Sequence, residues 1–290
     1  MVNSKCRTED MYGMVTDRLI AEIEKGGLRW VKGWTQTGLP MNGATKTSYR
    51  GINMLWLMME IRDKGYKSNR FYTYRQVKGL KGHVIAGSKG LPIFFYKPIE
   101  ISVENKETGK QEIKRIPMLR SFIVFNQDQT SLKGMDADAV REPVEIIKIC
   151  EDIAGWSDSP RMMTDSSAYY MSRWDIIGIP DMQSFRTAEM YYATLFHEMI
   201  HSTGSKGRLN RDGIVKTNAF GSDMYSREEI IAELGASILC AKAGIFEDNV
   251  SNSSAYIDSW LRSLKKDKRF IFKVMSQVQA SVDLITGTGS

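Results

Sequence analysis

Five consecutive residues, His197-Glu198-Met199-Ile200-His201, carry the most readable chemistry in this chain. In an α-helix, positions i and i+4 lie on one face, one turn apart. His197 and His201 can therefore each aim a ring nitrogen at one metal ion. Glu198 is offset around the helix, so its carboxylate reaches a water on that ion rather than the ion itself. Zinc lowers the pKa of such a water towards neutrality, and the carboxylate takes its proton as a carbonyl is attacked. Two of the chain's three histidines fall in this pattern. A purely structural site has no use for Glu198, which favours a hydrolase. The competing explanation is a pair of packed histidines, or a vestigial site that holds metal without turnover.

A catalytic zinc of this kind takes a third protein ligand and leaves one position open. The remaining histidine, His83, lies in the other half of the chain, which favours a carboxylate. The segment 226–236, Ser-Arg-Glu-Glu-Ile-Ile-Ala-Glu-Leu-Gly-Ala, supplies it. Glu229 and Glu233 share a helical face, and Ala232, Gly235 and Ala236 are small enough to admit a close neighbour helix. Glu229 is the favoured ligand, with Glu228 as the alternative. Glu233 is placed behind the ligands, orienting a histidine. Against this stands a capping box, in which Glu229 would bond the backbone at Ser226. One Zn2+ per chain is expected, with Mn2+ or another divalent ion able to replace it.

The elements that must position these groups follow from hydrophobic periodicity. Residues 187–202 and 226–243 read as helices, with Tyr191, Tyr192, Leu195 and Phe196 around the motif. Residues 168–171 and 174–180 read as a strand hairpin before the first of them, and 143–154 as a helix. Two amphipathic helices are expected at about 254–266 and 269–285. In the first half, 11–25, 49–64 and 73–80 read as helices. Residues 83–85, 93–96, 99–103 and 120–125 read as strands punctuated by Gly87, Gly90, Pro98 and Pro117. Residues 105–114 read as a polar hairpin tip, and 126–142 as a polar linker.

Charge separates the halves. Residues 1–130 hold 22 Lys and Arg against 12 Asp and Glu, whereas 131–290 hold 18 against 22. The basic half interleaves cations with aromatics: Arg29, Trp30, Lys32, Trp34, Tyr49, Arg50, Arg70, Tyr72, Tyr74, Arg75, Lys78, Lys81 and Lys89. Cations for phosphates and flat rings for unstacked bases are what single-stranded nucleic acid requires. The alternative is that most of the aromatics are core and the lysines merely solubilise. No apolar run approaches the roughly 18 residues of a membrane span, and 1–10 does not read as a secretory signal. Cys6, Cys150 and Cys240 lie far apart in sequence, as expected of reduced thiols in a cytoplasmic protein.

The ordered set of residues resembles the ArdC-type antirestriction family along nearly the whole chain. The first half carries Arg29-Trp30, Trp34, Pro40, Asn42, Tyr49 through Asn53, Tyr72-Thr73, Gln76, Gly82, Lys89-Gly90, Phe125-Asn126 and Gln129-Thr130. The second carries Asp175 through Ile177, Pro180, Phe185, Tyr191 through Thr194, the His-Glu-Met-Ile-His motif, Thr203-Gly204, the Glu228 to Ala236 segment, Tyr256-Ile257 and Trp260. The resemblance implies an N-terminal domain that binds single-stranded DNA and a C-terminal metallopeptidase-like domain. It also implies protection of incoming plasmid DNA from host restriction, in a bacterial cytoplasm that includes the recipient cell's. The expectation is therefore an α+β chain of two domains. Residues 1–130 form an α+β DNA-binding domain, and 131–290 a mostly helical, zincin-like peptidase domain with a small sheet and an unidentified protein substrate. The alternative is a non-enzymatic protein that coats single strands. A metal-dependent nuclease fits less well, because nucleases usually cluster carboxylates around two metals.

Overall fold

The computed structural model describes residues 8–26, 38–104, 111–132, 143–216, 223–245 and 254–288. Helix α1, Thr8–Gly26, buries Val15, Leu19, Ile20 and Ile23 at the spacing expected of one apolar face. Helix α2, Gly51–Lys64, is buried almost all round, from Asn53 through Met59 and again at Ile61. Gly65 ends it in the left-handed conformation (φ 62°), which spares a Cβ clash and returns its N–H to the Arg62 carbonyl at 3.1 Å.

Strands β1 (Met41–Asn42), β2 (Arg70–Thr73), β3 (Leu91–Glu104) and β4 (Gln111–Asn126) form one sheet in the order β1-β2-β4-β3. Short helix α3, Tyr74–Gly79, begins at a capping box between Thr73 and Gln76. The outer edge of β3 is closed by a side chain. Buried Asn53 donates to the Phe94 carbonyl at 2.6 Å and accepts from the Phe94 N–H at 2.7 Å.

Four details differ from the sequence expectation. Residues 83–85 form no strand, only a single bridge from Val84 to Thr130. The two segments split at Pro98 are one continuous strand, with Pro98 opposite Pro117. Neither proline breaks the ladder. β2 reaches β4 only at Val124–Asn126, so both prolines lie where the hairpin is two-stranded and each strand has an outer edge. Strand β4 also takes in 111–114, which had read as hairpin tip; 105–110 of that tip lie outside the described residues. Of the expected linker, 126–132 folds back on the first sheet, with Gln127 Nε2 donating to the Leu132 carbonyl at 2.8 Å. Residues 133–142 lie outside the described residues.

The second half opens with α4, Pro143–Ala154, where the periodicity placed it. Strands β5 (Arg161–Thr164), β6 (Tyr169–Met171) and β7 (Ile176–Ile179) follow, ordered β5-β7-β6. The expected hairpin is β6 and β7. β5, parallel to β7, is additional; all four of its residues are exposed, so no apolar alternation marks it. Helix α5, Ala188–Ser202, starts at Thr187, whose hydroxyl accepts from the Met190 N–H. The helices α6 (Asp212–Val215), α7 (Asp223–Ala243), α8 (Ser254–Lys266) and α9 (Phe270–Thr286) complete the order.

The chain is an α+β protein, with a sheet-containing N-terminal unit and a mostly helical C-terminal one. The two meet over a single hydrophobic core. Leu19, Leu57, Phe71 and Val124 of the first half join Phe196, Ile231, Val274 and Val278 of the second in one buried cluster. Polar contacts fasten the same seam. Thr16 donates to the Lys268 carbonyl, the Gly51 N–H donates to Gln279, and Arg50 pairs with Asp283. Cys150 and Cys240 are buried thiols, and burial pushes the Cys150 thiol up to about 11. Among the described residues no helix is long and apolar enough to cross a membrane.

Candidate metal centre

Helix α5 carries the motif and α7 lies against it. Gly235 makes the close approach possible: a Cβ there would come within 2.6 Å of Ile200 Cδ1 and 2.8 Å of its Cγ1. His197 Nε2 and His201 Nε2 stand 3.1 Å apart. Glu229 brings Oε2 to 3.7 Å from His197 Nε2 and Oε1 to 3.6 Å from His201 Nε2. Three N/O donors bound tetrahedrally at ~2.0–2.2 Å from an ion stand ~3.3–3.5 Å from one another. The observed edges bracket that value, so these residues fit a divalent ion. Glu198, next to His197, is buried and belongs to the same acidic surround.

The capping-box explanation for Glu229 fails, because α7 begins at Asp223 and Ser226 is already inside it. Glu228 faces a different way. Consecutive helical residues point about 100° apart, so only one of the pair can face the ion. Glu228 accepts from Arg211 Nε at 3.0 Å and lies 3.4 Å from His201 Nδ1, behind the imidazole. Arg211 is buried too, and its guanidinium also reaches Thr203 Oγ1 at 2.7 Å, Ser281 Oγ at 2.9 Å and the Ile200 carbonyl at 2.8 Å. Burial alone would raise the Glu228 carboxyl, but the hydrogen bonds and charges of His201 and Arg211 outweigh it and hold the pKa at about 2.

Glu229 is likewise raised by burial but held below the usual carboxylate range by His197, His201 and the Tyr225 hydroxyl. Burial opposes a charge on His197, yet its hydrogen bond to Glu229 and the charges of Glu233, Glu198 and Glu229 push it up to about 9. Glu233, expected behind a histidine, acts on His197 through its charge. The group seated directly behind a ring is Glu228, on His201.

A second network fixes the small sheet to the motif helix. Arg208 holds Asp175 at 2.7 Å and 2.8 Å and donates to the Ser202 carbonyl at 3.1 Å. The Tyr170 hydroxyl donates to the same Asp175 at 2.8 Å. Asp175 sits in the left-handed region (φ 51°), which turns the chain between β6 and β7.

Sequence reasoning missed Arg211 and Tyr225. Tyr225 stands one helical turn before Glu229, a spacing that could have found it. Nothing local marks Arg211.

The nucleic-acid candidates divide. Arg29, Trp30, Lys32 and Trp34 lie outside the described residues. Tyr49, Arg70 and Tyr72 are buried, a correction to their reading as surface groups. β2 is covered on both faces, and the Tyr72 ring lies so close over Gly43 that a Cβ there would meet it at 2.0 Å. Arg50 is exposed but paired with Asp283. Tyr74, Arg75, Lys78, Lys81 and Lys89 are exposed.

A His-Glu-x-x-His helix packed on a second helix that brings a carboxylate to both imidazoles, beside a small sheet, defines a zincin-like domain. Residues 151–277 match the zincin-like metallopeptidase family, and residues 9–125 match the N-terminal domain of anti-restriction factor ArdC. The crystal structure of the antirestriction ArdC protein from the R388 plasmid, in its metal-free form, superposes with a TM-score of 0.76 at 38% identity, over 96% of this chain and 97% of that one. Its Mn(II)-bound form gives 0.75 at 36%, with the same coverage. The chain therefore belongs to the ArdC family of antirestriction proteins. It is also 32% identical over 281 residues to protein y4eC of Sinorhizobium fredii, covering 94% of this chain and 91% of that one. The Escherichia coli DNA primase TraC is 31% identical over 294 residues, and there the match spans only 27% of the longer protein.

Proposed function

We propose that this protein shields incoming plasmid DNA from restriction by binding it as a single strand, and that its second half is a zinc-dependent peptidase. The observation that carries the enzymatic part is the triangle of His197, His201 and Glu229 with Glu198 beside it. The first two imidazoles and the Glu229 carboxylate would hold one zinc. A bound zinc supplies Lewis acidity and acidifies a water. Glu198 accepts a proton from the attacking water and passes it to the leaving amine. Glu228 and Arg211 keep the His201 ring turned towards the centre. β6 is an edge strand near α5, and its outer edge has no strand partner among the described residues. It offers backbone groups to an extended polypeptide substrate.

The DNA-binding part is supported by the charge of the first half and by its family, and a role on transferred DNA calls for a bacterial cytoplasmic protein that enters the recipient cell with that DNA. Protection by coating the strand and protection by cutting a host protein separate at Glu198. Glu198→Ala removes the proton acceptor but no ligand, so it keeps the metal and the DNA affinity and loses hydrolysis. We favour coating. The measurement is transfer of unmodified plasmid into a restricting host, with metal content and strand binding verified in parallel. Continued protection by Glu198→Ala supports coating; loss of protection assigns the role to hydrolysis.

A further inference from the structure

Helix α3 and the loop that follows it, up to residue 89, are built over a small core of their own. Val77 and Val84 pack with Tyr72 and Leu132. The loop is tied down along its length. The Gly82 N–H donates to the Val77 carbonyl, the Ile85 N–H to the Gln129 carbonyl and the Ser131 N–H to the His83 carbonyl, each at 2.9 Å. Gln129 Nε2 donates to the Lys89 carbonyl at 3.0 Å. Helix and loop thus present one fixed surface.

That surface has a narrow chemistry. Tyr74, Leu80 and Ile85 are 54%, 50% and 46% exposed. Apart from Gly79, Ala86 and Gly87, every other exposed residue of 74–89 is basic: Arg75, Lys78, Lys81, His83 and Lys89. Between Asp63 and Glu100 the sequence holds eight Lys or Arg and not one Asp or Glu, in a chain that has 34 acidic residues. Elsewhere the protein neutralises exposed lysines, pairing Lys265 with Glu24, Lys268 with Asp17 and Lys273 with Asp267. The four Lys and Arg of the α3 surface have no such partner among the described residues. The Lys78 ammonium stands over the Tyr74 ring, 5.9 Å from its centroid.

We infer that α3 and the 80–89 loop are the docking surface for single-stranded nucleic acid, with Tyr74 as a stacking ring and Arg75, Lys78, Lys81 and Lys89 on the phosphates. The inference rests on the single-strand reading above and gives it a place. Four unpaired cations on one fixed surface are complementary to a polyanion. An open ring among them takes an unstacked base by its face, which a duplex keeps hidden. An anionic bilayer is the poorer occupant. Segments that lie in a membrane sink a continuous apolar face, whereas the apolar side of α3, at Val77, is already buried.

The test uses the full chain and a labelled mixed-sequence DNA strand, alone and as duplex, followed by fluorescence anisotropy over a range of salt. Tyr74→Ala should weaken single-strand binding by roughly 5- to 150-fold, as expected for a lost stacking ring, whereas Tyr74→Phe should retain affinity. Arg75→Gln, Lys81→Gln and Lys89→Gln should each lower the slope of log affinity against log salt by about 0.7. Lys206→Gln, an exposed lysine of the second half, should leave that slope unchanged. All of these positions are exposed, so the melting midpoint should not move. Wild-type affinity in Tyr74→Ala, or unchanged slopes in the three glutamine variants of this surface, would overturn the placement while leaving the single-strand reading intact. Failure of the wild type to prefer single strands would overturn both. Cosedimentation with phosphatidylserine vesicles completes the set: vesicle binding that these variants lose, with strand binding kept, would reassign the surface to lipid.

Discussion

His201 is gripped from two sides, and the two glutamates that grip it should fail differently. Glu229 faces the centre, so Glu229→Ala should leave the purified protein without stoichiometric metal, as should His197→Ala or His201→Ala. Glu228 sits behind the ring and against Arg211. Glu228→Ala should lower metal affinity by ~10–100-fold. It should also cost about 3–5 kcal/mol of stability, because the buried Arg211 guanidinium loses its counter-charge. Elemental analysis and denaturant unfolding read the two effects separately. A Glu228 variant that lost all metal but kept full stability would reverse the assignment. The pH dependence follows from His197, held at about 9 against an ordinary value of 6.5 in the metal-free form. That group stabilises the metal-free fold fully below about 6.5, and the contribution is lost as pH rises through 9. Metal needs the unprotonated ring, so the linkage runs the other way. Chelator competition should show affinity rising with pH across this window, by up to about tenfold per unit; a flat profile would contradict the raised His197. The sequence shows which residues meet, because i and i+4 on a helix meet by geometry. It does not show what stands behind them. Arg211 reaches the site through a loop, and a loop's path is set by tertiary packing.

At the scale of elements, the fit of α7 on α5 decides the site. A Cβ on Gly235 would strike Ile200. Gly235→Ala should therefore push the helices apart, costing about 1–3 kcal/mol and drawing Glu229 away from the histidines. Gly213 is a parallel case, since a Cβ there would come within 2.8 Å of Glu228 Cβ. Unchanged metal affinity in Gly235→Ala, measured against wild type, would show that the site tolerates the shift. The small residues of 226–236 announced this close contact in advance, because only a near neighbour explains them. Long periodic helices such as α4, α8 and α9 were equally legible. β5 was not: its residues are exposed, so pairing with β7 rather than an apolar pattern makes it a strand. Tyr72 and Arg70 misled for the converse reason. Aromatic and cationic residues side by side suggest a surface, but a strand covered on both faces buries them all.

The whole molecule behaves as one body although its charge and its family matches divide it in two. α9 packs Val274, Val278 and Val282 into the core that also holds Leu57 and Phe71, and Phe272 lies against Trp56 and Phe94. Residues 1–130 expressed alone should therefore expose α2 and fail to reach a native fold. The full chain should melt in one cooperative transition rather than two. Two resolved calorimetric transitions, or a stable 1–130 fragment, would contradict the shared core. The charge asymmetry gave a true picture of composition but a poor guide to this seam, because charge lies on surfaces and the join is apolar.

The position of α9 in the chain also sets a schedule. α2 ends at Lys64, whereas the helix that covers it ends at Thr286. At ~5–20 residues per second a ribosome needs tens of seconds to cross that interval. Throughout it, Trp56, Leu57, Met58 and Met59 have been made but lack their cover. No native half can precede the finished chain, and the nascent helix is a client for chaperones. Arrested nascent chains ending before α9 should be cut readily by protease within α2, and those that have released α9 from the ribosome should resist.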